Sequence, residues 1–85
     1  MITKTVRVTQ EIKVTVDETK FDEEFMTEFR ESFYHFVTLD EHLQHLGQLY
    51  ARGIVDEFSF IEGYGPASDF KIRFKQTFGE EEIVE

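Results

Sequence analysis

The stretch from Phe21 to Gly53, FDEEFMTEFRESFYHFVTLDEHLQHLGQLYARG, decides the fold, because it carries both the apolar stripes that build a core and most of the negative charge. At about 100° per residue, Phe21, Phe25, Phe29, Phe33 and Phe36 fall within one narrow arc, and Glu24, Glu28 and Glu31 fall on roughly the opposite side. One face packs, and the other meets water or a partner. Asp22 is placed to cap this helix, with Glu23 and Glu24 at the positive end of its dipole and Phe21 and Met26 as a staple across its first turn. The spacing predicts a helix to about Phe36. Thr38 and Glu41 then form a capping box for a second helix, whose stripe is Leu39, Leu43, Leu46 and Tyr50 and whose end is set by Gly53. Helices joined so closely are neighbours, and Gly47 beside the second stripe permits close approach.

Toward the N-terminus, Ile2, Val6, Val8, Ile12, Val14 and Val16 all sit on even positions, a strand pattern. One strand over this span would be about 50 Å long, so it is bent or broken near Gln10. A hairpin is the other reading, but Thr9-Gln10-Glu11 offers no Gly, Asn or Asp for a primed turn, which favours one long, bent strand. Toward the C-terminus, Phe58-Ser59-Phe60-Ile61 reads as a short strand and Gly63-Tyr64-Gly65-Pro66 as a turn. Phe70, Ile72 and Phe74 then alternate with Lys71, Arg73 and Lys75 in a last strand that Gly79 ends, and residues 80–85 read as a frayed acidic tail. The order β-α-α-β-β predicts one α+β domain over residues 1–79, with a three-stranded, mostly antiparallel sheet and both helices packed on one face. The other sheet face would carry Arg7, Lys13, Lys71, Arg73 and Lys75.

Composition narrows the function. Ten Phe against four Leu make a core of large rings, and the absence of Cys excludes disulfides and thiolate metal sites. No apolar run approaches the ~18 residues that span a bilayer, and the N-terminus has no apolar signal region, so the expected setting is cytoplasmic. A formal charge of −9 disfavours direct contact with nucleic acid and anionic membranes.

That charge is uneven, with residues 17–62 carrying twelve acids against Lys20, Arg30 and Arg52. Glu24, Glu28 and Glu31 repeat at i, i+4 and i+7, where like charges cost an isolated helix a few tenths of a kcal/mol per pair. With Asp40, Glu41, Asp56 and Glu57 they would present carboxylates to a basic groove that normally holds nucleic acid, and Tyr64 at its turn would add an apolar anchor. The plainer alternatives are a solvated acidic face and a Tyr64 ring folded over the core. The basic sheet face would suit an acidic partner or a homodimer; the plainer account is pairing with Glu11. His42 and His45 at i, i+3, with His35 before them, lack the Cys or HExxH context of a metal site, and Gly63-Tyr64-Gly65 lacks the Lys and helix of a phosphate loop. The residues therefore predict no catalytic group, cofactor or metal.

Residues 25–34 (FMTEFRESFY), 40–46 (DEHLQHL), 51–53 (ARG) and 60–65 (FIEGYG) resemble a family of small proteins carried by phages and other bacterial mobile elements. The resemblance runs from the first strand to Pro66 and brings no catalytic motif. It implies a setting, since small acidic phage-type proteins include inhibitors of host defence such as anti-CRISPR proteins, some of which mimic nucleic acid. By that analogy of class, the expectation is a phage-encoded inhibitor of a host nucleic-acid-handling protein such as a Cas protein. A self-associating accessory module with no inhibitory role is the other expectation.

Overall fold

The computed structural model describes residues 1–85 in the order β1 (Val6–Thr15), α1 (Glu23–Ser32), α2 (Leu39–Ala51), β2 (Phe60–Ile61), β3 (Gly65–Pro66) and β4 (Arg73–Ile83), with short 3-10 helices at Glu18–Lys20 and Ala67–Phe70. The class is α+β, but the strands form two two-stranded antiparallel sheets, β1-β4 and β2-β3, in place of one three-stranded sheet. Asp56 explains the difference. Its Oδ1 accepts from the Phe58 N–H at 2.8 Å and from Ser59 Oγ at 3.0 Å, so Phe58 and Ser59 are spent on a turn. Only Phe60 and Ile61 remain extended, and they pair locally with Pro66 and Gly65.

β1 is a single strand, in register with β4 from Val6↔Ile83 to Thr15↔Arg73. Between Glu11 and Ile12 the pairing skips Thr77, whose hydroxyl donates to the Glu11 carbonyl at 3.3 Å. This β-bulge bends the ribbon beside Gln10, where the length of the alternating stretch requires a bend. β4 does not stop at Gly79: Glu80, Glu81 and Glu82 pair with Thr9, Val8 and Arg7, and the Val84 N–H donates to the Thr5 carbonyl at 2.9 Å. A run of glutamates that repel one another as a free tail gains a neutral and basic neighbour here, and Glu82 lies 3.9 Å from Arg7.

α1 ends at Ser32, four residues before the expected Phe36. The run Phe33-Tyr34-His35-Phe36-Val37 holds no strong helix former. Reversal there brings Phe36 back to stack on Phe29, with ring centroids 5.6 Å apart, and lets Arg30 Nη1 donate to the Phe36 carbonyl at 3.4 Å. Phe36 therefore joins the core through a loop rather than through the helix. α2 follows its sequence signals closely. Thr38 and Glu41 form the capping box, and Gly53 at φ 72 closes the helix: its N–H donates to the Tyr50 carbonyl and the Ile54 N–H to the Leu49 carbonyl, both at 2.9 Å. Neither helix is long and apolar enough to cross a membrane.

The core is Phe29, Leu46, Ile61, Tyr64, Ala67 and Ile72, with Phe21, Phe25, Phe36 and Phe74 among the half-buried residues packed on it. The outer half of the β1-β4 ribbon lies outside this core. Val6 to Gln10 and Gly79 to Ile83 are all exposed, and the molecule measures 52 × 23 × 20 Å. Gly63 marks the tightest approach in the body: at φ 90, an added Cβ would lie 2.5 Å from Phe29 Cε2. Gly63→Ala is expected to cost about 2 kcal/mol from backbone strain and overpacking, read as a lower urea midpoint. An unchanged midpoint would mean that both the contact with Phe29 and the backbone at this turn relax freely.

Candidate partner-binding surface

Asp22 Oδ1 accepts the Phe25 N–H at 2.8 Å and sets the start of α1, which fixes the direction of its acidic side. Glu23, Glu24, Thr27 and Glu28 line one shallow depression there, and Glu31 stands exposed one turn further on. None has a base within ion-pair distance, because the sole salt bridge of the chain is Arg7 to Glu82. Their mutual repulsion is left uncompensated.

The other predicted acids do different work. Glu41 accepts from the Val37 and Thr38 N–H groups at 3.0 and 3.2 Å, and these bonds, the Val37 one foremost, hold its carboxyl below the usual range. Asp56 is held in its turn. Asp40 is exposed on the first turn of α2, while Glu57 lies in a separate hollow beside Lys71 and Arg73. The seven predicted acids thus have unlike surroundings, and the exposed acids that α1 lines up, Glu24, Glu28 and Glu31, are the ones suited to a partner.

Tyr64 corrects the sequence reading. It is 4% exposed, its hydroxyl lies 2.7 Å from His42 Nδ1, and burial pushes its phenol far above the usual range. Gly63 and Gly65, at φ 90 and 82, reverse the chain on either side and turn the residue between them inward. It cannot anchor a partner.

The exposed tyrosine is Tyr34. Together with Phe33, Ile54 and Phe60 it rims a half-open cleft of about 470 Å³, with Leu49 and the half-buried His45 also in its wall and Ser32 and Glu62 as polar lining. That volume lies in the range of ligand pockets. Phe60 is 76% exposed, Tyr34 and Ile54 54% each, and Phe33 42%, a concentration of apolar surface that water does not favour. Sequence reasoning missed this cleft because it ran the helix on to Phe36 with Phe33 in its buried stripe and gave Tyr34 no role; the poor helix propensity after Ser32 was the signal available. The chain matches no protein-family model, no curated protein and no solved structure.

The histidines do not converge. His35 is exposed, His45 lines the cleft, His42 is fully buried, and no three His, Asp or Glu side chains are placed to hold a metal ion. The His42 ring is enclosed by Phe21, Phe25, Phe29, Phe36 and Tyr64 at centroid distances of 4.6–5.7 Å, and its Nε2 has no hydrogen-bond partner. The ribbon register sets Lys13 opposite Lys75 and Thr15 opposite Arg73, so three bases share one face. Glu11 lies opposite Phe78 and pairs with none of them, and Lys71 precedes the strand in a left-handed conformation at φ 52.

Proposed function

We propose that this protein inhibits a nucleic-acid-handling protein by direct binding, in the manner of an anti-CRISPR protein. α1 lays Glu24, Glu28 and Glu31 against a Lys/Arg-rich surface that otherwise holds nucleic acid. The apolar cleft at the end of the same helix receives a hydrophobic side chain of that target. The observation that carries this reading is the run of unneutralised carboxylates along α1 leading to Ser32 and Phe33 at the cleft. Like charges left unpaired on one helix face disfavour the isolated fold and favour a positively charged partner.

The test is a competition assay in which the protein displaces labelled nucleic acid from a purified Cas effector. Reversing all three residues, Glu24→Lys, Glu28→Lys and Glu31→Lys, is expected to weaken displacement at least about tenfold, mainly through the association rate, while far-UV circular dichroism stays unchanged. Raising the salt should weaken the unaltered protein in the same direction. Undiminished displacement by the folded triple variant would remove the electrostatic reading. Phe60→Ala should leave the association rate nearly unchanged and speed dissociation, which separates the cleft from the charges.

A further inference from the structure

The outer half of the ribbon is two strands with no third strand, no helix over Val6 or Val8, and apolar side chains in water. A two-stranded ribbon is marginal alone. Because the Val84 N–H donates to the Thr5 carbonyl, odd residues of β1 spend their backbone groups on β4, and Val6, Val8 and Gln10 turn theirs to the unpaired edge. Such an edge recruits another strand unless it is blocked. No Pro and no bulge blocks β1, since the extra residue of the ribbon's bulge, Thr77, is in β4.

We infer that two copies of this chain join by antiparallel pairing of their β1 edges about a two-fold axis at Thr9, giving a four-stranded sheet in the order β4-β1-β1-β4. The sequence of β1 selects this register. With Thr9 opposite Thr9 of the second copy, Arg7 meets the second copy's Glu11, Val6 meets its Ile12, and Val8 meets its Gln10. The two-fold axis makes each of these pairs twice. Among registers centred between Val6 and Gln10, this one alone sets opposite charges together. Centring on Arg7 opposes two arginines, centring on Gln10 opposes Arg7 and Lys13, and centring on Val6 or Val8 pairs no opposite charges. Opposite-charge and apolar cross-strand pairs stabilise a sheet, and like charges destabilise it. The other edge is less suited to the same pairing: registers of β4 centred on Glu80, Glu81 or Glu82 oppose glutamates, and those centred on Thr77, Phe78 or Gly79 run across the bulge at Thr77.

An independent feature receives the incoming strand. A hollow beside β1, on the face of its even residues, is lined by Gln10, Ile12 and Val14 from the strand and by Leu43, Gly47 and Gln48 from α2. In the Thr9 register the second copy's Val6 arrives next to Ile12, at the mouth of this hollow. Val6, 51% exposed in a single copy, would be covered there. The pairing uses none of the acids of α1, so it stands or falls apart from the inhibitor reading.

Sedimentation equilibrium over a concentration series, together with cysteine cross-linking, tests it. The full chain is expected to sediment as a dimer. Thr9→Cys, in a chain with no other thiol, should form a disulfide-linked dimer when oxidised with copper phenanthroline, whereas Thr5→Cys, whose copies would lie about 26 Å apart, should not. Glu11→Arg should weaken the dimer about tenfold, and adding Arg7→Glu should restore it. A monomer at every concentration overturns the inference. So does a dimer that Glu11→Arg leaves unchanged and Thr9→Cys fails to cross-link, because it would use another face.

Discussion

Phe29→Ala is expected to remove about 3–5 kcal/mol of stability, enough to leave a domain of this size close to unfolding. Phe29 is 2% exposed, and its ring lies within 4.6–6.5 Å, centroid to centroid, of Phe25, Phe33, Tyr34, Phe36, His42 and Tyr64. Truncation takes away the ring on which α1, the α1-α2 loop, α2 and the Tyr64 turn all converge. Because Phe36 reaches the core from a loop and Gly63 approaches the ring closely, the backbone around the site is already tightly constrained, so the cavity collapses little. Urea unfolding checks this directly. Phe58→Ala is the matched control, since Phe58 is 88% exposed, and it should change stability by less than about 0.5 kcal/mol. Equal effects of the two substitutions would show that the core is not centred on Phe29.

Mild acid should weaken the fold almost as strongly, through His42. Burial first, with neighbouring His45 and Arg30 adding to it against Glu41, lowers its pKa from 6.5 to about 4. The folded state therefore binds fewer protons than the unfolded chain between pH 6.5 and 4, and stability falls as the pH drops through that window. A shift of this size corresponds to roughly 2 kcal/mol lost by pH 5 and about 3 kcal/mol below pH 4. His45, also lowered by burial, acts with the same sign. Asp17 and Glu41, lowered by their hydrogen bonds, add to the loss only as the pH falls below about 4.5. Thermal melting between pH 7.5 and 5 reads the effect. Replacing both members of the buried pair, His42→Leu with Tyr64→Phe, leaves no orphaned polar atom and should flatten most of the dependence at little cost to stability at pH 7.5. A melting temperature indifferent to pH in the unaltered protein would mean that His42 is solvated.

The parts of this structure that the sequence made legible are those specified by local chemistry. Asp22, the Thr38-Glu41 box and Gly53 act within a few residues of themselves, so the start of α1 and both ends of α2 follow from them. The parity of β1 and its bend beside Gln10 follow likewise from side-chain alternation and strand length. What could not be read depends on distant partners. Glu80 to Glu82 look like a tail until β1 is laid beside them, and Phe60-Ile61 look like a sheet strand until Asp56 spends their neighbours on a turn. For the candidate surface, the helical period of Glu24, Glu28 and Glu31 was visible. The inward turn of Tyr64 was not, because one tyrosine between two glycines suits a tip or a plug equally until His42 Nδ1 is found 2.7 Å away.

The pairing of β1 with β4 joins residues more than fifty positions apart along its whole length, whereas the two helices and the Tyr64 turn are stitched by neighbours in sequence. Loop closure over such a span costs entropy before any strand contact repays it. Folding should thus run from the aromatic body outward, with the ribbon closing last at its exposed end. In a single copy that order reverses: amide hydrogens of Thr5 to Thr9 and Glu80 to Val84 should exchange long before those of α2, and pairing with a second copy should slow them, so the end that meets the second copy is the end that opens most readily without it.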